Sequence, residues 1–188
     1  ALKDRKEEIE ALVVEAQKGD HQSFAQIYDI FIDPIYRYVF FRVKDDEAED
    51  IVETVFLRVW EHLKSYKKKK NKSFSSWVYR IAHNLVIDHY RADKSNLMVE
   101  LSPQLPDQNR EHNPIKNTQQ SLDKENLKVA ISKLKKNYQE IIVYKFINQL
   151  NNKEVAQILK KSEGSLRILQ FRALKALKKE LKAMGVKY

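Results

Sequence analysis

The sequence predicts an all-α protein with two helical domains joined by a flexible linker. Three observations lead to this prediction: helix-breaking residues are rare, apolar residues recur at helical spacing, and one stretch differs from the rest in composition. The 188 residues include only 3 glycines and 4 prolines, the two residue types that most disfavour a helix interior. Because Pro103, Pro106 and Pro114 lie close together, the rest of the chain carries few signals that would end a helix.

The first domain is predicted to cover residues 1–94. Its first helix, about 5–18, ends before Gly19, and the Asp20 carboxylate is expected to cap the second helix. Pro34 is expected to open a third helix, because proline is favoured in the first helical turn, where no backbone N–H is needed.

Two further helices complete the first domain. The acidic run 45–47 is expected to begin the fourth helix, because negative charge is favourable beside the positive end of a helix dipole. The fifth helix covers about 73–92, and the lysine-rich stretch 67–72 separates it from the fourth. Apolar residues recur three and four positions apart in both helices, which predicts one buried face on each.

Composition and charge divide the rest of the chain into a linker and a second domain. Residues 95–121 contain the clustered prolines with many Asn, Gln and Ser residues, a composition typical of a flexible linker. Residues 122–188 return to helical periodicity and carry 16 basic and 6 acidic side chains, a net charge of +10. This charge suits a polyanion such as DNA, because lysine and arginine displace counterions from phosphates. A lysine-rich soluble surface without a partner would give the same charge, so both interpretations stay open.

The last two helices have the dimensions of a helix-turn-helix. Asn151 and Glu154 have the spacing of a capping box for a short helix, Lys160 falls in the turn, and Ser162 can cap the helix that follows. In this motif the second helix enters the major groove of DNA. The residues predicted to contact DNA there are Ser162, Glu163, Ser165, Arg167, Arg172 and Lys175. An ordinary helical hairpin with a charged outer face is the alternative that the pattern alone allows.

The fifth helix carries an unusual combination of aromatic and polar residues on one face. The set comprises Phe74, Trp77, Arg80, Asn84, Asp88 and Arg91, preceded by Lys69, Lys70 and Lys72 in the lysine-rich stretch. Aromatic rings stack on bases, lysines follow phosphates and amides read base edges, so the set suits single-stranded DNA. Taken alone, the residues favour a plainer interpretation, in which the aromatics are core and the charged residues form a solvated, ion-paired face.

No feature of the sequence predicts an enzyme, a cofactor or a metal. Cysteine is absent, so neither a disulfide framework nor a thiolate metal site is expected. His83 and His89 are six residues apart, which does not place both on one helix face, and no third ligand accompanies them. The longest apolar runs span four residues, whereas a membrane helix needs roughly 20. A cytoplasmic, nucleoid-associated protein without membrane insertion is expected.

Several stretches of the sequence resemble the extracytoplasmic-function (ECF) sigma factors of bacteria. Residues 48–60, AEDIVETVFLRVW, and residues 74–91, FSSWVYRIAHNLVIDHYR, are similar to region 2 of that family. Residues 154–174 are similar to its region 4, and Gly19-Asp20 resembles its opening. The two regions occur in the family's order and separation, and the resemblance covers nearly the whole chain apart from the linker. It implies a transcription initiation factor that binds RNA polymerase, not an enzyme.

The resemblance also implies a role for each set of residues. Asp50, Glu53, Thr54 and Leu57 would dock on the clamp helices of the polymerase β′ subunit. The lysine-rich stretch and the aromatic–polar face would melt and read the −10 promoter element, with Asn84 lining a pocket for a flipped base. The helix from Ser162 would read the −35 element as duplex. The implied partners are the polymerase core, including the β flap, promoter DNA and an anti-sigma protein, and no cofactor is implied.

The sequence departs from the family pattern at three places. Glu53 and Thr54 stand where the family usually has a glutamine followed by an acid, which alters the polymerase-docking surface. Lys160 stands where a turn glycine is common, and a positive φ there would cost about 1 kcal/mol. The lysine run within 67–72 is unusually dense and would add phosphate contact without sequence preference.

Two other classes of function remain as alternatives. A stand-alone helix-turn-helix transcriptional regulator, with the first domain as a sensor or dimerisation module, would bind duplex DNA tightly without polymerase. A nuclease using Asp88 and His89 would need a cluster of acids or metal ligands, which the sequence lacks.

Overall fold

The N-terminal half of the protein is a bundle of four helices whose apolar faces meet in one core. The computed structural model describes residues 2–68, 72–99 and 119–186. A 3₁₀ turn, Leu2–Arg5, leads into α1, Lys6–Gln17, which is followed by α2, His21–Phe40, α3, Asp45–Leu63, and α4, Phe74–Val99. Helices α1, α2, α3 and α4 pack against one another in sequence order, as their short connections favour.

The junction between α1 and α2 forms as the sequence predicts. Gly19 has a φ of +102°, a conformation that glycine adopts without steric cost. The Asp20 carboxylate then accepts hydrogen bonds from the backbone N–H groups of Gln22 and Ser23 at the start of α2. The hydrogen bond from the Ser23 hydroxyl is the main reason that the pKa of Asp20 is lowered.

The prediction that Pro34 opens a third helix is wrong. Pro34 lies inside α2, which continues from His21 to Phe40. A proline in a helix interior removes one backbone hydrogen bond and disfavours the helix by about 3 kcal/mol. Buried Phe31, Ile35 and Tyr38 keep one face of α2 in the core on both sides of the proline. Packing of this face therefore outweighs the local preference of Pro34.

Helices α3 and α4 begin where the sequence predicts. The acidic first turn of α3 starts at Asp45, and the Ser73 hydroxyl accepts a hydrogen bond from the Ser76 backbone N–H at 3.1 Å at the start of α4. Helix α4 continues to Val99, beyond its predicted end near residue 92. The beginning of the predicted linker, 95–121, is thus helical, while most of that linker lies outside the described residues.

The C-terminal helices match the predicted helix-turn-helix. They are α5, Gln119–Ser132, α6, Lys136–Ile142, a π-helical segment, Val143–Ile147, α7, Asn152–Leu159, and α8, Glu163–Ala183. Asn151 and Glu154 form the predicted capping box, each side chain accepting the other's backbone N–H at 2.9 Å. Lys160 lies in the turn with φ +53°, and the Ser162 hydroxyl accepts from the Ser165 backbone N–H at 3.2 Å.

The two groups of helices, α1–α4 (the N-terminal unit) and α5–α8 (the C-terminal unit), pack against each other. Their buried apolar residues belong to one contiguous cluster. Helix α7 packs on α4, and the π-helical segment contacts α2. All regular elements in the described ranges are helical, which confirms the predicted all-α fold with a C-terminal helix-turn-helix. The sequence had left open whether the two parts pack together, and the structure places them in direct contact.

Candidate nucleic-acid interface

All six residues predicted to contact DNA near the start of α8 are solvent-exposed. Leu166 and Ala173 are the buried residues of this helix, and they fix its opposite face on the core. The exposed set comprises Ser162, Glu163, Ser165, Arg167, Arg172 and Lys175. The helix therefore presents cationic and small polar groups to solvent on a regular helical backbone.

Two of these residues have a local structural role as well. The Ser162 hydroxyl accepts the Ser165 backbone N–H and lies 2.9 Å from the Ser165 hydroxyl. Glu163 occupies the first turn of α8, where the helix dipole favours a negative charge. The N-terminus of α8 is therefore capped before any partner binds.

Sequence reasoning missed two apolar residues on the exposed side of α8. Phe171 is 71% exposed and Ile168 is 58% exposed. In a major groove such side chains can contact the methyl group of thymine. The signal was available in the spacing, because both residues are out of phase with buried Leu166 and Ala173.

The polar residues predicted on α4 are accessible. Asn84, Asp88 and Arg91 are exposed, and Arg80 is half-buried. The Arg91 guanidinium lies 3.2 Å from the Asp88 carboxylate, and exposed pairs of this kind contribute little to stability. These side chains can therefore change partners at small cost. Of the predicted lysines, Lys72 is exposed, whereas Lys69 and Lys70 lie outside the described residues.

The two predicted aromatic residues of α4 differ in accessibility. Phe74 is fully buried, and its ring centroid lies 5.2 Å from that of Trp77 and 5.1 Å from that of Tyr66. Trp77 and Tyr66 are half-buried, with ring centroids 5.0 Å apart. Tyr66, in the loop after α3, was not among the predicted residues. Phe74 therefore supports this aromatic cluster from inside, and Trp77 and Tyr66 form its accessible edge.

The face of α3 predicted to dock on polymerase is also exposed. Asp50 and Glu53 point to solvent, and Leu57 is 57% exposed. Thr54 is half-buried, and its hydroxyl donates to the Asp50 backbone carbonyl at 2.8 Å. An exposed leucine beside two carboxylates is suited to a protein partner and not to the phosphates of DNA.

Two aromatic residues extend this face beyond the predicted set. Trp60 and Tyr28 are each 40% exposed, and the Trp60 ring packs against Phe24 with centroids 4.6 Å apart. Trp60 lies one turn after Leu57 on α3, so the three residues Tyr28, Leu57 and Trp60 form an apolar patch on α2 and α3. The sequence signal was the i, i+3 spacing of Leu57 and Trp60.

His83 and His89, the two histidines considered as metal ligands, have structural partners. His89 Nε2 lies 3.0 Å from the Glu47 carboxylate, which joins α4 to the start of α3. His83 lies between the two units, and burial lowers its pKa. The described residues contain no group of three or more His, Cys, Asp or Glu side chains placed to hold a metal ion. None of the described helices is long and apolar enough to cross a membrane.

Comparison with known proteins agrees with this arrangement. The family model for sigma-70 region 2 matches residues 27–96, and the model for sigma-70 region 4 matches residues 124–177. The ECF RNA polymerase sigma factor SigW of Bacillus subtilis is 31% identical over 183 residues, covering 93% of this chain and 97% of SigW. The chain belongs to the ECF sigma factors of the sigma-70 family.

A second relative is longer than this chain. The ECF sigma factor BldN of Streptomyces coelicolor is 32% identical over 167 residues, covering 88% of this chain. The aligned part spans only 63% of the length of BldN. The sigma-70 family consists of transcription initiation factors that bind DNA, so the ECF sigma factor described here is a regulatory protein of that kind.

Two solved structures share its fold. RpoE of Bartonella quintana, in complex with the anti-sigma factor NepR, has a TM-score of 0.72 at 20% identity, covering 86% of this chain and 98% of RpoE. CnrH, in complex with the cytosolic domain of CnrY, has a TM-score of 0.70 at 20% identity, covering 92% of this chain and 96% of CnrH. The likeness extends over both helical units.

Proposed function

We propose that this sigma factor binds the core of bacterial RNA polymerase and directs it to promoters by reading two DNA elements. The N-terminal domain, residues 1–94, would bind polymerase and the melted −10 element. The C-terminal unit, 122–188, would read the −35 element as duplex. The observation that carries the proposal is that the two units of a sigma-70 family chain each expose a polar face suited to DNA, while a third, apolar and acidic face lies on α3.

The −35 role is supported by the exposed face of α8. Arg167, Arg172 and Lys175 are exposed and can pair with phosphates or with guanine. Ile168 and Phe171 add apolar contacts between these cations. Recognition in the major groove needs cationic side chains that contact the DNA phosphates. It also needs short polar or apolar side chains that contact the base edges.

The −10 role is supported by the arrangement of α4. Trp77 and Tyr66 offer aromatic surface, and Asn84 offers an exposed amide two turns further along the helix. Stacking on aromatic rings contributes about 1–3 kcal/mol per base. A flipped base needs both an aromatic surface and a hydrogen-bonding group for its edge. Phe74 would act by supporting Trp77, because its own ring is buried.

The partners of this chain follow from the same faces. The acidic groups of α3 and the apolar patch Tyr28, Leu57 and Trp60 would bind the β′ clamp helices, and the C-terminal unit would bind the β flap. An anti-sigma protein is proposed as a regulator, because RpoE and CnrH were each solved with a protein bound, NepR being named an anti-sigma factor. With these partners the protein would work in the cytoplasm, associated with the nucleoid.

The test is co-elution of the purified protein with bacterial core polymerase on gel filtration at moderate salt. A one-to-one complex is expected. Leu57→Asp should weaken it at least about 10-fold, because a charge in the apolar part of an interface commonly costs more than 1.4 kcal/mol. Val14→Asp is the matched control, since Val14 is 49% exposed and belongs to α1, whereas the patch residues belong to α2 and α3, and the change should alter the affinity less than about 2-fold.

Two other results would redirect the proposal. Elution of the protein alone, together with tight binding to duplex DNA without polymerase, would favour the stand-alone regulator. Equal losses of affinity for Leu57→Asp and Val14→Asp would be compatible with a polymerase complex, but they would show that the docking surface does not lie on α3.

A further inference from the structure

Helix α1 has no contact with DNA or polymerase in the proposed function, yet its last residue reaches the loop that carries Tyr66. Residues 64–68, which follow the end of α3 at Leu63, are named the Tyr66 loop. They adopt turn and irregular conformations. The position of Tyr66 therefore depends on contacts outside α3.

The Gln17 side chain binds the backbone at both ends of the turn that leads to Tyr66. Gln17 Nε2 donates to the Leu63 carbonyl oxygen at 2.9 Å and to the Tyr66 carbonyl oxygen at 2.7 Å. A side-chain amide has two N–H donors, so both bonds can form at once. The Leu63 carbonyl also accepts the Tyr66 backbone N–H at 3.0 Å. One side chain of α1 thus fixes a turn that lies more than forty positions later in the sequence.

A charged contact joins α1 to the other end of the Tyr66 loop. Glu10 Oε2 lies 3.5 Å from Lys68 Nζ, and the Glu10 side chain is only 13% exposed, against 64% for Lys68. Glu10 and Gln17 are seven residues apart, so they lie on one face of α1. This face of the helix therefore contacts the loop on both sides of Tyr66.

The Tyr66 ring is fixed at its hydroxyl end and accessible elsewhere. The hydroxyl is buried, and burial, with the nearby charge of Glu10, raises the pKa of Tyr66 to about 12. The hydroxyl therefore stays neutral at physiological pH. The ring meets Phe74 nearly edge-on, at 86°, and is tilted by 49° against the ring of Trp77. The half-buried ring thus presents its remaining surface beside Trp77.

Fixing this ring before DNA arrives removes a cost of binding. Ordering a loop and a side chain during binding costs conformational entropy, and a pre-organised surface avoids that cost. The stacking partner of an unpaired base has to be in place when the base leaves the duplex. Contacts that hold the Tyr66 loop in the free protein should therefore favour promoter opening.

We infer that Gln17 is a positioning residue for the −10 surface: it holds the Tyr66 loop so that the Tyr66 ring lies beside Trp77 in the free protein. Glu10 supports the same loop through Lys68. Gln17 acts through Tyr66 and does not itself contact DNA. The inference rests on the proposed −10 role of the aromatic cluster, whereas the tether between Gln17 and the loop is a property of the free chain.

The first experiment measures the tether in the full-length free protein by amide hydrogen exchange. Gln17→Met keeps a side chain of similar length but removes both hydrogen bonds to the loop. Exchange of the Ser65 and Tyr66 amides should become at least about 10-fold faster, because two neutral hydrogen bonds that oppose local opening are lost. Val13→Ala is the matched control. Val13 is 2% exposed on the same helix, so this change weakens the packing of α1 without touching the loop.

The second experiment measures promoter opening by the complex of this protein with core polymerase. The DNA probes are fragments that the wild-type complex selects from a random-sequence library, and permanganate reactivity of thymines reports the melted strand. Gln17→Met should reduce opening about 10-fold and change closed binding less than about 2-fold, because −35 reading does not involve the Tyr66 loop. Val13→Ala should open the same fragments within about 2-fold of wild type, even where its urea midpoint is the lower of the two.

A double-mutant cycle separates positioning from a general loss of stability. Tyr66→Leu removes the aromatic ring but keeps an apolar side chain in the cluster. If Gln17 acts through Tyr66, Gln17→Met should reduce opening less than about 2-fold further in the Tyr66→Leu background. Independent effects of the two changes would instead multiply.

The possible results lead to different conclusions. Multiplying effects of Gln17→Met and Tyr66→Leu, or equal losses of opening for Gln17→Met and Val13→Ala, would overturn the positioning role. Unchanged exchange of the loop amides in Gln17→Met would overturn the tether itself. Normal opening by Gln17→Met, with wild type active, would overturn the inference and leave the proposed function intact. A wild-type complex that opens no fragment of the library would overturn the proposed function, and the positioning role with it.

Discussion

Helices α4 and α8 carry the two candidate DNA-reading faces, and they are built in opposite ways. Helix α8 keeps its candidate residues in solvent and is anchored by Leu166 and Ala173 on the other side. Helix α4 combines exposed Asn84 with half-buried Trp77 and fully buried Phe74. The candidate residues on α8 are thus separate from the hydrophobic core, whereas those on α4 include Phe74, which belongs to the core, and Trp77, which packs against it.

This difference agrees with the two kinds of DNA that the faces would read. A duplex has a fixed shape, so a helix with rigid backbone and exposed side chains is sufficient. A melted strand has no fixed shape, and the protein must supply the aromatic surface that replaces base stacking. Because Trp77 lies directly on Phe74, the single-strand face and the stability of the N-terminal unit depend on the same residues.

The largest expected effect comes from truncating one phenylalanine in each helix. Phe74→Ala should lower the free energy of unfolding by about 3–5 kcal/mol, because it leaves a cavity in a packed aromatic cluster. Phe171→Ala should change it by less than about 0.5 kcal/mol, because the ring is exposed, while weakening binding to −35 DNA. Urea denaturation followed by circular dichroism measures the first quantity for both variants. Similar destabilisation by the two changes would contradict the contrast between the helices.

A smaller effect separates the two faces by function. Asn84→Ala and Arg167→Ala remove exposed side chains, so both variants should keep the wild-type stability within about 0.5 kcal/mol. Asn84→Ala should impair promoter opening about 10-fold while changing closed binding less, because the amide would contact only a flipped base. Arg167→Ala should instead reduce the preference for the correct −35 sequence by about 10-fold.

These two variants are controls for each other. Permanganate footprinting of melted DNA and filter binding of the closed complex, on a series of promoter variants, separate the two steps. Equal losses in opening and closed binding for Asn84→Ala would remove the pocket assignment. An unchanged −35 preference for Arg167→Ala would show that this arginine contacts phosphate and not a base.

The smallest expected effect concerns the turn that positions α8. Lys160 has φ +53° and ψ +45°, a left-handed conformation that costs a residue with a Cβ about 1 kcal/mol relative to glycine. Lys160→Gly should therefore stabilise the protein by up to about 1 kcal/mol, less the entropy that glycine loses on folding. Lys161→Gly is the neighbouring control and should not stabilise. A destabilising Lys160→Gly in the same urea assay would mean that the lysine side chain contributes more than its backbone conformation costs.

The sequence predicted those elements whose determinants are local. The helix caps at Asp20, Asn151 and Ser162 were predictable because each is local. In each cap the side-chain oxygen accepts a hydrogen bond from a backbone N–H three residues later in the chain. The resemblance to the ECF family put Lys160 at a turn position where glycine is common, and Lys160 has φ +53° there. The exposure of the predicted residues on α8 followed from the phase of its apolar stripe.

The sequence did not predict features that depend on distant parts of the chain. Pro34 is tolerated inside α2 because neighbouring residues of this helix are buried by other helices. The local sequence around Pro34 does not predict that burial. The burial of Phe74 depends on Phe31 and Tyr66, and the pairing of Arg42 with Glu140 joins residues almost a hundred positions apart. Periodicity marks a buried face but does not say what covers it.

With the −35 role proposed for α8, the sparse anchoring of this helix has a consequence for how promoter preference would change. Because Leu166 and Ala173 are its only fully buried residues in the described part of the chain, substitutions on the outer face cost little stability. Mutations there can accumulate and be selected for a new DNA sequence without first passing through a poorly folded intermediate. Transplanting the outer face of α8 from a relative is therefore a practical route to an orthogonal transcription factor, whereas the aromatic cluster under α4 would have to be exchanged as a whole.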